Sequence, residues 1–256
     1  YGARAANGVI VITTKKGKAG SLKVNVNAAT FISTKPDFDR LNLMNANEKV
    51  NFELALAANP ELQYRTEKGD IGRILKKYGV LGNYDGNFTS LPADAQKEIN
   101  ALRFAGDNWG DLLYRTAINQ QYGLSISGGT DRINYYFSAG YYNEQGTTKG
   151  TGFDRFNLSM NTGIKITKDL TFSIGLFGNQ SKRSSYISDT DAFTNPARYT
   201  RNVNPYLTVY DASGQYVYDP DIDGYSDRYV PFNFIEESKN TNYELKNSSF
   251  KSVFNL

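Results

Sequence analysis

Residues 118–142 read INQQYGLSISGGTDRINYYFSAGYY. Two runs of alternating residues flank a short glycine-rich break. In the first run Ile118, Tyr122, Leu124 and Ile126 fall on one side, and Asn119, Gln121, Ser125 and Ser127 on the other. In the second, Ile133, Tyr135, Phe137, Ala139 and Tyr141 oppose Asn134, Tyr136, Ser138, Gly140 and Tyr142. A period of two marks a β-strand with unlike faces. Gly128-Gly-Thr-Asp131 has the residue types of a tight turn. The stretch predicts an antiparallel hairpin.

The same alternation recurs on both sides of it. In 20–34, GSLKVNVNAATFIST, Leu22, Val24, Val26, Ala28, Thr30 and Ile32 oppose Lys23, Asn25, Asn27, Ala29, Phe31 and Ser33. Phe156, Leu158, Met160, Thr162 and Ile164 oppose Asn157, Ser159, Asn161, Gly163 and Lys165. Leu170, Phe172, Ile174 and Leu176 oppose Thr171, Ser173, Gly175 and Phe177. A sixth, noisier strand is expected over Tyr243–Leu256, with Phe250, Phe254 and Leu256 on its apolar face. The polar faces carry Asn, Ser, Thr, Gly and Gln with few charges, where a soluble sandwich usually places more Lys and Glu. Eleven residues tilted by about 40° span roughly 28 Å, close to the ~25 Å apolar band of an outer-membrane barrel.

Connection lengths alternate too. Gly128–Asp131 and Thr167–Asp169 are short, whereas 35–117, 144–152 and 182–242 are long. Short turns at one end and long loops at the other are the pattern of membrane barrels, whose short end is periplasmic. The first long loop is expected to hold helices over Asn45–Asn59, Asp70–Tyr78 and Pro92–Phe104, the first capped by Asn45 or Asn47. The last loop, rich in Tyr, Asp, Asn and Pro, is expected to form hairpins. The fold class is all-β. Six strands cannot close a membrane barrel, whose smallest forms use eight, so these strands are expected to be part of a larger transmembrane antiparallel barrel.

Composition narrows the chemistry. The 256 residues contain no Cys and no His, which removes Ser-His-Asp and Cys-His nucleophiles, Cys/His zinc sites and disulfides. A net charge of +3 gives no basic stripe for nucleic acid. No apolar run approaches the ~20 residues of a membrane helix, a limit that does not apply to barrel strands. Near the start, Gly8–Thr14 is apolar without alternation, as in a strand covered on both faces, and Lys15, Lys16 and Lys18 follow as a solvated turn.

Tyr1–Lys18, YGARAANGVIVITTKKGK, closely resembles the motif that ends the plug domain of SusC/RagA-like TonB-linked outer-membrane transporters. Ala3 and Ala5 are small-for-small departures from it. Asn108–Arg115, Leu124–Gly129, Tyr135–Tyr141 and Gly152–Phe156 resemble that family's first barrel strands, so the resemblance runs from Tyr1 to about Arg183. It implies that 1–19 end the plug and connect it to the wall, and that 20–256 open a barrel of about 22 strands. It further implies active import of a large nutrient, an oligosaccharide or else a peptide, beneath a SusD-like surface lipoprotein. TonB would act through a segment upstream of Tyr1. An enzyme is not implied. The alternatives are an adhesive or structural surface barrel that binds without importing, and a passive porin.

Several residues are candidates for sites. Asp219-Pro-Asp-Ile-Asp-Gly-Tyr-Ser-Asp227 has the alternating oxygens of a calcium loop at Asp219, Asp221, Asp223 and Asp227. It lacks the bidentate Glu, whose place is Val230, and an acidic turn explains it equally. Otherwise no cofactor is expected. Tyr199, Tyr206, Tyr210, Tyr216, Tyr218 and Tyr225 crowd the last loop, where they could stack on sugar rings, meet the lid, or pack the loop itself. Trp109 is expected at the outer membrane interface and, with the loop tyrosines, is a candidate for contact with substrate or lid. Phe31, Tyr136, Tyr142 and Phe177 are expected to face the lumen and touch the plug. The carboxylate pairs Asp107/Asp111 and Glu236/Glu237 have no nucleophile or base beside them, which leaves a glycosidase without support.

Overall fold

Six strands form one antiparallel sheet: β1 (Gly20–Ser33), β2 (Ala117–Gly129), β3 (Ile133–Gln145), β4 (Gly152–Lys165), β5 (Thr171–Ser185) and β8 (Tyr243–Asn255). Each pairs with its neighbours in that order. The remaining strands, β6 (Asp223–Gly224) and β7 (Arg228–Tyr229), make a separate two-stranded ladder. The computed structural model describes residues 15–59, 61, 69–185, 194–224, 228–229, 231–241 and 243–256. Tyr1–Thr14, with the apolar run Gly8–Thr14, lie outside the described residues.

The sheet inverts the burial of a soluble protein. Register sets Val24, Ile126, Phe137, Met160 and Leu176 side by side in one row, and Val26, Leu124, Ala139 and Leu158 in the next. That face carries its large apolar side chains in the open, Val26 76% and Phe250 74% exposed, as the lipid-facing side of a barrel wall does. On β3 the apolar stretch Ile133–Tyr141 spans roughly 21 Å at a tilt of about 40°. Above it Tyr122, Tyr141 and Phe156 form a cross-strand aromatic row, followed by Gln120, Asn143, Asp154 and Lys182. A hydrocarbon band, an aromatic girdle and a polar rim therefore follow one another up the wall.

The opposite face is flat and polar. Asn27 faces Gly123, Asn157 faces Gly140, Asn134 faces Gly163 and Asn161 faces Gly175 across neighbouring strands. Each Asn side chain lies over its glycine: a Cβ on Gly140 would meet the Asn157 amide at 2.9–3.0 Å, and one on Gly163 the Asn134 amide at 3.1–3.2 Å. Ser138 and Ser159 share a hydrogen bond of 2.7 Å on the same face.

Short turns join β2 to β3 and β4 to β5; longer segments leave the other ends. Loop 1 (34–116) holds α1 (Ala46–Ala57), α2 (Asp70–Lys77), α3 (Ala93–Leu102) and α4 (Trp109–Leu113). The first three are the expected helices. Asn45 starts α1 with a capping box: its side chain accepts the Glu48 N–H and Glu48 accepts the Asn45 N–H, both at 2.9 Å. Loop 3 (186–242) departs from expectation. Besides the β6–β7 ladder and an isolated Tyr210–Tyr216 bridge it holds two helices, α5 (Pro196–Asn202) and α6 (Phe234–Asn240). Asn195 and Asn233 cap them by accepting two backbone N–H groups each, and Pro196 sits at the first turn of α5. Seven-residue helices are too short for their periodicity to show.

Strand phase has a direct consequence. Val24→Arg on the hydrocarbon face should cost about 2–4 kcal/mol near the bilayer midplane. Asn25→Arg, one residue along and on the polar face, should leave stability nearly unchanged. Urea unfolding of the full-length receptor in phospholipid vesicles measures both.

Candidate functional site

Loops 1 and 3 fold onto each other as a cap above the polar rim. One cluster packs Val50, Leu54, Ile71, Leu75, Tyr84, Leu91, Ala95 and Ile99 of loop 1 around Tyr206 of loop 3. A second joins Trp109, Leu113 and Tyr114 of loop 1 to Tyr199, Leu207, Val209, Phe232 and Phe234 of loop 3. Loop 2 (146–151), between β3 and β4, is tied in through Arg115, whose backbone N–H donates to Thr147 at 2.8 Å, and Lys149, whose N–H donates to Leu113 at 2.9 Å.

Two polar latches, one buried and one half-buried, fasten the clusters. In the first, the Tyr206 hydroxyl donates to Glu53 at 2.9 Å and accepts the Asp70 N–H at 2.9 Å. Glu53, only 2% exposed, also accepts the Ile71 N–H at 3.3 Å and pairs with Lys49 at 3.5 Å. Burial raises the Glu53 carboxyl above its usual 4.5, against the lowering pull of Tyr206 and Lys49. Gly69 permits the arrangement: its φ is +90°, and a Cβ there would sit 2.5 Å from the Glu53 carboxyl carbon. In the second latch Asp221 accepts from Arg73 at 2.9 Å and from the Gly69 N–H at 3.0 Å, and also holds Asn204. Arg73 pairs with Asp70 as well, at 2.7 Å. Burial alone would lower the Arg73 guanidinium, but Asp70 and Asp221 together raise it. Asp219 accepts the Tyr199 hydroxyl at 3.1 Å and the Asp221 N–H at 3.0 Å; burial raises its carboxyl.

The latches account for part of the candidate calcium loop. Asp219 and Asp221 face protein donors, the Asp223 backbone enters β6, and Asp227 lies outside the described residues. Among the described residues no group of three or more acidic side chains is placed to hold a metal ion.

The aromatic candidates divide sharply. Trp109, Tyr199 and Tyr206 are buried, so they present no ring to a ligand. Trp109 donates its indole N–H to the Leu207 carbonyl at 3.2 Å and meets Tyr199 edge-on at 5.1 Å. It is a packing residue of the cap and not the interface anchor its type suggested; the row Tyr122–Tyr141–Phe156 occupies that level on the outward face. Tyr210 stacks on Tyr216 at 5.1 Å, and Lys239 bonds the Tyr216 hydroxyl at 3.0 Å. Tyr210 and Tyr218 remain exposed, and Tyr225 lies outside the described residues. Phe31, Tyr136, Tyr142 and Phe177 all fall on the flat polar face by register, opposite Asn119, Ser127, Gln121 and Ser159. Asp107 is used to accept the Val209 N–H at 2.7 Å, Asp111 pairs with Lys35, and Glu237 accepts the Thr241 hydroxyl at 2.9 Å. None is set up as an acid–base pair.

One feature escaped sequence reading. A cleft of about 790 Å³ opens between loops 1 and 3, lined by Phe38, Leu43, Met44, Phe104, Arg103 and Arg201 among others. Phe104 on its rim is 92% exposed, and Leu43 and Met44 are each 47% exposed. Its signal in the sequence is the aliphatic run Leu41-Asn-Leu-Met44, which lies ahead of the first helix of loop 1.

The arrangement is a stretch of β-barrel wall carrying a folded surface cap. Comparison with known proteins agrees. The chain is 32% identical over 175 residues to the TonB-dependent receptor SusC of Bacteroides thetaiotaomicron, a match covering 68% of this chain and 14% of that receptor. It is 25% identical over 224 residues to TonB-dependent receptor P3 of Formosa agariphila, covering 84% of this chain and 18% of the relative. Among solved structures, the RagAB peptide transporter matches with a TM-score of 0.55 at 24% identity over 85% of this chain and 24% of that one. RagAB in its open-open state matches with a TM-score of 0.60 at 21% identity over 98% and 28%. No protein-family model matches. The chain belongs to the SusC/RagA-like TonB-dependent receptor family, and these matches span 14% to 18% of the length of the curated relatives.

The first latch makes the cap sensitive to two changes. Tyr206→Phe leaves the Asp70 N–H and Glu53 each short of a partner and should cost about 1–3 kcal/mol. Faster hydrogen exchange at the amides of α2 would report it. The Glu53 carboxyl titrates higher in the folded cap than its unfolded value of 4.5. The folded state therefore takes up its proton first, and the cap gains stability as pH falls from the raised value towards 4.5 and loses it on the way back up. Glu53→Gln should abolish that component, so exchange in the two proteins should differ in its pH dependence across that window.

Proposed function

We propose that this segment works in an outer-membrane importer that takes up a large nutrient by a TonB-driven cycle. The observation that carries the reading is the wall itself: an apolar, girdled outer face, a flat Asn/Gly inner face, and a folded cap at the long-loop end. The inner face, small and polar apart from Phe31, Tyr136, Tyr142 and Phe177, suits packing against a plug, and 1–19 are read as the plug's last strand and its connector. The relatives' names support TonB-driven import.

The partner is a SusD-like surface lipoprotein seated over the cap, and the cargo is an oligosaccharide or a peptide. The cleft supports contact with apolar groups through Phe104, Leu43 and Met44, which favours a peptide or the lid. The exposed Tyr210, stacked on Tyr216, offers the ring surface a sugar would need. The solved relatives are named as peptide transporters or importers, which adds weight to a peptide.

Uptake by cells carrying the full-length receptor tests the reading. Import of a fluorescent peptide or oligosaccharide should cease on deletion of TonB or on collapse of the proton gradient, while surface binding persists. Import that survives both losses would leave a passive pore; binding without import under any condition would leave an adhesin. Phe104→Asp should weaken peptide uptake or lid retention several-fold and leave the barrel folded, as read by heat-modifiable gel mobility.

A further inference from the structure

Residues 15–19 form a strap along the polar inner face of the wall at its short-turn end. The strap touches the wall at two described points. The Lys15 carbonyl accepts the Asn161 side-chain amide of β4 at 3.1 Å. Gly17 is buried directly on the backbone of Tyr135 in β3: a Cβ there would overlap the Tyr135 carbonyl oxygen and sit 2.5 Å from its nitrogen. The Tyr135 backbone cannot give way, because β3 is laddered to Gly128 on one side and Thr162 on the other. Beyond Gly17 the strap leaves the wall, over a cavity of about 390 Å³ lined by Lys16, Lys18, Lys23, Ser127 and Tyr136. It then enters β1 at Gly20, which pairs with Gly129.

The path has little slack. From β4 across β3 and β2 to β1 is three inter-strand spacings, roughly 14 Å. The five residue steps from Lys15 to Gly20 reach at most about 17–18 Å when fully extended. A nearly taut chain passes on displacement without absorbing it.

We propose that Gly17 on the Tyr135 backbone, with Lys15 held by Asn161, is the fixed point of the import cycle. Here the wall takes up a pull transmitted through the plug, so that remodelling stops at the strap and β1 is not peeled from β2. Gly17 and Asn161 are positioning residues, and the inference rests on the TonB-driven reading above. Asn161 suits the role because it already lies across Gly175, where a Cβ would meet its amide oxygen at 3.2 Å, so its donor is aimed at the strap.

The full-length receptor with a nitroxide label at Lys16→Cys tests this, alone and with Gly17→Val or Asn161→Ala. The seated strap should give a restrained spectrum. Gly17→Val should make it mobile and lower TonB-dependent uptake several-fold, with surface binding and heat-modifiable mobility unchanged. Asn161→Ala leaves the backbone contact in place and should fall between; it carries the comparison if Gly17→Val does not assemble. Wild-type uptake in a variant whose strap has become mobile would overturn the fixed point. So would an unchanged spectrum in both variants. Wild-type uptake indifferent to TonB would instead overturn the importer reading, and with it the strap's role, while the spectra still report whether the seat exists.

Discussion

A strand facing hydrocarbon can send its backbone N–H and C=O groups only to the next strand. Everything in this segment follows from that constraint. The ladders from β1 to β8 run with few irregularities, and each outward side chain must be one that lipid accepts. The apolar residues that would fill a core in a soluble sheet are therefore on the outside, Val26 and Phe250 among them. The inner face is left mainly to Asn, Ser, Thr and Gly, with Phe31, Tyr136, Tyr142 and Phe177 standing among them, and Ser138 and Ser159 pair across it.

The buried core lies in the cap instead. Loops 1 and 3 are separated by the 69 residues from Ala117 to Ser185, yet they share both hydrophobic clusters. Glu53, Asp219 and Asp221 are held among them by Tyr206, Tyr199 and Arg73. Burying carboxylates is costly, and here each is met by more than one donor: Glu53 and Asp221 by groups from both loops, Asp219 by Tyr199 and the Asp221 N–H of its own loop. Removing one donor leaves a buried acceptor short, so the latches set one arrangement of the loops more firmly than apolar contact alone would. Tyrosine serves this place well: the ring fills the cluster while the hydroxyl reaches the acid.

The cleft and the strap mark the two ends of the wall. At the long-loop end, Phe104, Leu43 and Met44 expose apolar surface along the cleft. At the short-turn end, Gly17 presses the chain against β3 with no side chain between. One end offers a surface to what comes from outside; the other holds the chain to the wall.

Strand existence, strand phase and the sided alternation of loops were legible from period two alone, because each residue's face in a strand depends on its neighbours in sequence. Three helices of loop 1, α1 to α3, were legible as well, helped by local capping such as that of Asn45 and Glu48 three residues apart, whereas the five-residue α4 was not. The short helices of loop 3, the cleft and the fate of the tyrosines were not. Tyr206 is an exposed sugar platform or a buried latch according to whether Glu53 and Asp70, more than 130 residues away, come to meet it. Trp109 likewise reads as a membrane anchor until Leu207 and Tyr199 enclose it. Local pattern determined the wall, whose pairing joins strands consecutive in the chain; only tertiary structure decided the cap, because its burial is made by loops that the wall brings together.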